Sequence, residues 1–158
     1  MRHKFSHGLG PSYSRVNGRQ VSIREAIGPA YSGLEEAKAD VSGMYELKWL
    51  VDRGVLPRER LPEYYASYVA GIFRTVRYGV AEAHGRAEMM EFNYLSEQKA
   101  IRRAGGRYEI DLPKRPGALA SLTKKGRVSE ATGDRAGAEA WFDRCDKRAA
   151  DLTRALAA

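Results

Sequence analysis

Apolar residues recur at helical spacing along much of this chain. Leu61, Tyr64, Tyr65, Tyr68, Val69, Ile72, Phe73 and Val76 follow i, i+3, i+4, i+7 for four turns, and Pro62 stands where a helix opens and a missing N–H goes unneeded. The pattern predicts a helix over about 62–78, ending near Gly79, with Tyr68, Ile72 and Phe73 in the core. Upstream, residues 34–53 lack proline and are apolar on more than one face. Leu34, Ala37, Val41, Met44 and Tyr45 share one face, and Gly43, Leu47 and Leu50 lie beside Glu36 and Asp40 on another. A helix apolar over most of its circumference is largely buried. Gly54 and Pro57 mark its end. A third stripe, Val80, Ala83, Ala87, Met90, Tyr94 and Ile101, predicts a helix over about 80–101 that Gly105-Gly106 stops.

Residues 107–112 then alternate in the two-residue period of a strand, for which no partner is evident. Pro113, Pro116, Gly117 and Gly126 interrupt the chain, and the last third reads as short helices over about 134–157, the first of them, 134–145, behind an Asp134 N-cap and the second over 147–157. The expected fold class is mainly α: one helical domain over 1–158, with one short strand near 107–112.

Composition narrows the classes. With 158 residues, 43% apolar and 30% charged, the chain is long enough for one core and too apolar to be a disordered polar chain. No apolar run approaches the roughly 20 residues of a membrane span, and no apolar segment follows the basic start as in a secretory signal. The single cysteine, Cys145, makes no internal disulfide, so a cytoplasmic location and no membrane partner are expected. The net charge of +7 is scattered as singles and pairs such as Arg102-Arg103 and Lys124-Lys125, without a zinc-finger or RNP1-like pattern. That reads as a solvated surface, and no specific nucleic-acid partner is expected.

Candidate chemistry begins with the three histidines, at 3, 7 and 84. Two imidazoles four residues apart share a helix face and can bind one zinc ion, with a third ligand from elsewhere. Glu36 and Asp40, one turn apart on a face that also holds Gly43 and Leu47, need a cation, a metal or a donor to sit there. Lys38, Lys48 and Arg74 are the cations available for ordinary salt bridges.

Taken together, His3-Lys-Phe-Ser-His7-Gly-Leu-Gly-Pro11, Arg24-Glu25-Ala26 and Tyr31-Ser-Gly-Leu-Glu35-Glu36-Ala-Lys-Ala-Asp40 resemble the zinc peptidases of the dipeptidyl peptidase III family, in particular members with a five-residue H-E-x-x-H. The likeness continues through Gly54-Val-Leu-Pro57, Tyr68-Val-Ala-Gly-Ile-Phe-Arg74 and Gly79-Val-Ala-Glu-Ala-His84-Gly-Arg86. It covers most of the chain but only a C-terminal portion of those two-lobed enzymes. The resemblance implies a helical zinc-binding part, with zinc held by His3, His7 and Glu36 and with water in the fourth position. It also implies that Glu35 and Asp40 are outer partners of the ligand histidines and that His84 contacts substrate or a developing oxyanion. Its substrate would be a peptide.

One position departs from the family. Lys4 stands where the motif glutamate takes a proton from water and passes it to the leaving amine, so the general base is absent. A position so near the N-terminus also predicts a frayed first turn and a poorly preorganised ligand pair. The expected function is therefore a fragment or degenerate member of a zinc-dependent peptidase that retains the zinc site without hydrolysis by itself. The alternative is a non-catalytic helical interaction module with a vestigial metal motif, whose former lobe interface is covered by a partner chain or a second copy.

Overall fold

The computed structural model describes residues 2–145 and 147–157, so the expectations that reach Met1, Asp146 and Ala158 extend there beyond the described residues. In chain order, α1 (Arg2–Ser6) leads to a hairpin of β1 (Tyr13–Val16) and β2 (Arg19–Ser22), then to α2 (Ile23–Ile27) and the long α3 (Tyr31–Asp52). After these come α4 (Leu61–Arg77), α5 (Ala83–Glu97), a second hairpin of β3 (Ile101–Ala104) and β4 (Arg107–Ile110), then α6 (Arg115–Thr132), α7 (Arg135–Cys145) and α8 (Ala150–Ala157). The fold is mainly helical, as expected.

Helix α3 is the axis of the molecule. It packs against α1, α5 and α6, which explains its apolar residues on several faces. Leu34, Ala37 and Val41 are sealed from solvent against Leu122 of α6 and Trp141 of α7. The α4 stripe lies on α5, with Tyr65, Val69, Ile72 and Val76 buried. Tyr68 and Phe73 are only partly buried: Phe73 packs on the rings of Phe92 and Tyr108, and the Tyr68 hydroxyl donates to Glu91 at 2.5 Å.

Three expectations are corrected. The helix expected over 80–101 is shorter at both ends: Val80–Glu82 forms a turn, Lys99 adopts φ +57°, and Ile101 enters a strand. That strand is the partner that 107–112 lacked in the sequence. Ile101 pairs with Ile110 and Ala104 with Arg107, across a Gly105-Gly106 turn whose two positive φ angles of 54° and 79° suit a tight hairpin, so the glycines turn a hairpin and do not stop a helix. Asn17-Gly18, with φ 50° and 76°, turns the β1–β2 hairpin in the same way, a feature not anticipated from the sequence.

The third correction is α6, an 18-residue helix where Pro116, Gly117 and Gly126 read as breaks. Pro116 lies in the first turn, where its missing N–H has no intrahelical acceptor to lose. Gly126 is buried against Leu34, whose Cδ1 would lie 3.9 Å from an added Cβ. Asp134 does cap α7 as expected, accepting from the Gly137 N–H at 2.9 Å.

The start of α5 is tightly packed on the turn before it. A Cβ on Gly85 would lie 2.4 Å from the Gly79 carbonyl oxygen, a backbone atom that no side-chain rotation can move away. Gly85→Ala should therefore destabilise the chain by about 1–3 kcal/mol, the range for forced overpacking. Thermal unfolding of that variant is the check, and an unchanged midpoint would show the turn to be free to shift.

Candidate metal centre

The first histidine stands in α1 and the second in the turn just beyond it, where the Leu9 N–H donates to Ser6 O at 3.1 Å. A five-residue helix does not hold itself together in water. This one is held by α3: the buried ammonium of Lys38 donates to the Leu9 carbonyl at 3.0 Å, and His3 and His7 both reach α3 carboxylates. The expected fraying is thereby opposed by tertiary bonds.

His3 Nδ1 donates to Asp40 Oδ1 at 2.8 Å, and His7 Nδ1 donates to Glu35 Oε1 at 3.1 Å. A carboxylate accepts only, so each Nδ1 carries a proton and each Nε2 is turned inward. The two Nε2 atoms lie 3.0 Å apart, and Glu36 Oε2 lies 3.1 Å from that of His3 and 3.5 Å from that of His7. Three atoms able to ligate a metal therefore face one another. Glu36 Oε2 is buried and makes no hydrogen bond of acceptable geometry among the described residues.

Such a triangle fits a cation. Ligand atoms about 2.0–2.1 Å from a tetrahedral zinc stand about 3.3 Å from one another, close to these three separations. Among the described residues, His3, His7 and Glu36 are the group of such side chains whose donor atoms converge on one point. The histidine side chains remain about a third exposed, so one side of the triangle is open. Lys4 is exposed to solvent.

His84, at the N-terminus of α5, places Nε2 3.3 Å from Glu36 Oε2, and its ring stacks on His3 at a centroid distance of 5.9 Å. Two grooves flank this stacked pair. One, of about 540 Å³, runs from His3 and Asp40 along Met44, Leu47, Tyr64 and Tyr68, and the other, of about 500 Å³, is lined by Arg74, Thr75 and His84.

Among the described residues, Glu36 and Asp40 do not pair with Lys38, Lys48 or Arg74, the cations that the sequence offered. Lys48 pairs with Asp52, and Lys38 pairs with Glu35 and with Glu130 of α6. Burial acts to raise Glu35, but hydrogen bonds from Lys38 and His7 outweigh it and hold that carboxyl below its usual range. Asp40 is raised by burial despite its bond to His3. Sequence reasoning did not identify Glu130, Glu88 or Glu91. Glu130 continues the buried face of Leu119, Leu122 and Gly126 at helical spacing, which is the signal that could have found it.

No family model matches the chain. Two solved structures match nearly all of it: a DPP III from Caldithrix abyssi, with TM-score 0.94, 34% identity and coverage of 99% of this chain and 30% of that one, and a dipeptidyl-peptidase III from Corallococcus sp. strain EGB, with TM-score 0.94, 34% identity and coverage of 99% and 29%. The fold is DPP III-like. Among curated proteins, Nudix hydrolase 3 of Arabidopsis thaliana is 36% identical over 135 residues, which make up 84% of this chain and 18% of that protein. The chain thus spans less than a third of either DPP III and less than a fifth of the plant protein. No described helix is long and apolar enough to cross a membrane.

Glu88, one turn beyond His84 on α5, is pushed up to about 7, mainly by burial and further by the charge of Asp40, while its hydrogen bond with Thr75 and the charges of His84 and Arg74 oppose the rise. A carboxyl raised on folding contributes stability that is fully present below its ordinary value near 4.5 and is lost as pH rises through about 7. Glu88→Gln removes the titration. The melting-temperature advantage of the metal-free variant over the parent should widen from about pH 5 to about pH 8, and a constant difference would contradict this assignment.

Proposed function

We propose that the chain is the metal-binding helical part of a zinc peptidase of the DPP III type, a fragment or degenerate member that binds one zinc ion through His3 Nε2, His7 Nε2 and Glu36 Oε2 and does not hydrolyse peptides by itself. The observation that carries this reading is the inward convergence of those three ligand atoms, the Glu36 oxygen among them buried from water. Likeness over 99% of the chain to two DPP III structures supports it.

Zinc at such a site polarises a carbonyl and acidifies water. The chain's own residues define the rest. Glu35 and Asp40 hold the Nδ1 protons and so keep both Nε2 lone pairs directed inward. His84 lies beside Glu36 at the mouth of the two grooves, placed to contact a bound peptide or a developing oxyanion. Lys4 at the base position offers no carboxylate to take a proton from water, and a lysine's charge opposes a dication. General acid–base help is typically worth about 10²–10⁴ in rate, which is the loss this substitution entails.

Calorimetry with zinc tests the assignment. His7→Ala and Glu36→Ala should each weaken binding by more than about 100-fold, beyond the 10–100-fold typical of losing an outer partner. Unchanged affinity in both variants overturns the zinc reading. Lys4→Glu should tighten zinc binding, and it should yield dipeptidyl-arylamide cleavage only when the remainder of a DPP III fold is supplied to position substrate. An unmodified chain that cleaves as fast as Lys4→Glu overturns the general-base argument.

A second reading, a non-catalytic interaction module with a vestigial metal motif, has its own observation. Beside the site, a groove of about 660 Å³ between α3 and α6 exposes Leu9, Tyr45 and Val128 under a rim of Lys124 and Arg127. On that reading a partner chain or a second copy covers the groove. Chain purified without chelator that carries no zinc and takes up none favours it.

A further inference from the structure

Among the described residues, His7 is backed by a buried ionic chain and His3 is not. Lys38 is 4% exposed and has three N–H donors. Its Nζ donates to Glu35 Oε2 at 2.9 Å and to the Leu9 carbonyl at 3.0 Å and lies 3.2 Å from Glu130 Oε2, so each donor has an acceptor. Glu130 is 1% exposed and comes from α6, some ninety positions along the chain from Lys38. The other oxygen of the Glu35 carboxylate, Oε1, lies 2.8 Å from the ammonium and accepts from His7 Nδ1. Burying two carboxylates and one ammonium is expensive, and α3 and α6 already meet through Leu34, Leu122 and Gly126, a contact that needs no charges.

We propose that Lys38 and Glu130 are positioning residues of the metal site: Glu130 holds the Lys38 ammonium under the turn after α1, and Lys38 fixes the Glu35 carboxylate that orients His7. The zinc-affinity arm of this inference rests on the metal-binding reading above, and the tautomer arm does not. Removing either residue frees the Glu35 rotamer and the Leu9 carbonyl while leaving the His3–Asp40 bond intact. The two histidines should therefore respond differently, whereas a salt bridge that merely joins α3 to α6 would affect both or neither.

The test compares Lys38→Met and Glu130→Gln with the parent chain. NMR of the metal-free proteins reads the Nδ1–H signals of His7 and His3, and calorimetry reads zinc affinity. The His7 signal should shift or be lost to exchange in both variants while the His3 signal stays in place, and zinc affinity should fall about 10- to 100-fold, as for other outer partners of metal-binding histidines. If Lys38→Met does not fold, Glu130→Gln carries the comparison, because it keeps the shape and removes the charge. Signals that move together, or not at all, in a folded variant overturn the proposal. A parent chain that binds no zinc overturns the metal reading instead, and the histidine signals still decide the positioning role.

Discussion

The site depends on one electrostatic constraint. Two imidazoles whose Nδ1 protons are committed to carboxylates, and one carboxylate oxygen shielded from water, direct three ligand atoms at a common point. Lone pairs about 3 Å apart repel one another unless a proton or a cation lies between them, and a low effective dielectric strengthens that repulsion. The surrounding polar bonds make sense as the means of holding this arrangement in place. Asp40 and Glu35 keep each ring in one tautomer, and Lys38 pins the turn that follows the first helix.

Helix α3 supplies most of these parts within two turns: Glu35, Glu36, Lys38 and Asp40, interleaved with Ala37, Ala39 and Val41, which are sealed in the core. Small apolar residues between the charged ones let α1 and α5 approach closely. The polar face has to be nearly satisfied, since a buried unpaired charge is among the most destabilising features a core can hold. The acids beyond the triangle show this strain. Glu91, fully enclosed, is pushed well above its usual range by burial and by the charge of Asp40, and Tyr68 donates to it. At Glu130 the usual carboxylate range is exceeded as well, with burial outweighing its attraction to Lys38.

The long helices were legible because burial imposes a period on the sequence: the α4 stripe from Leu61 to Val76 and the apolar faces of α3 place both helices within a few residues of their observed ends. Signals with two meanings were misread. Gly105-Gly106 can stop a helix or turn a hairpin, and which it does depends on whether 101–104 finds a partner in 107–110. Pro116 and Gly126 look like breaks in α6 unless it is known that one sits in the first turn and the other against Leu34. At the site, His3, His7, Glu36 and the carboxylates Glu35 and Asp40 were read through motif resemblance, and the structure brings all five together with His84. The burial of Glu130 was legible in its spacing from Leu119, Leu122 and Gly126, but its partner was not, because Lys38 meets it only when α6 folds over α3.

X-ray absorption at the zinc edge, on the chain loaded with one equivalent of zinc, addresses the central claim most directly. The account predicts a first shell of two imidazole nitrogens and at least one carboxylate oxygen at about 2.0–2.2 Å, with no sulfur scatterer near 2.3 Å. A shell of oxygens alone without imidazole scattering, or one containing sulfur from Cys145, would contradict it.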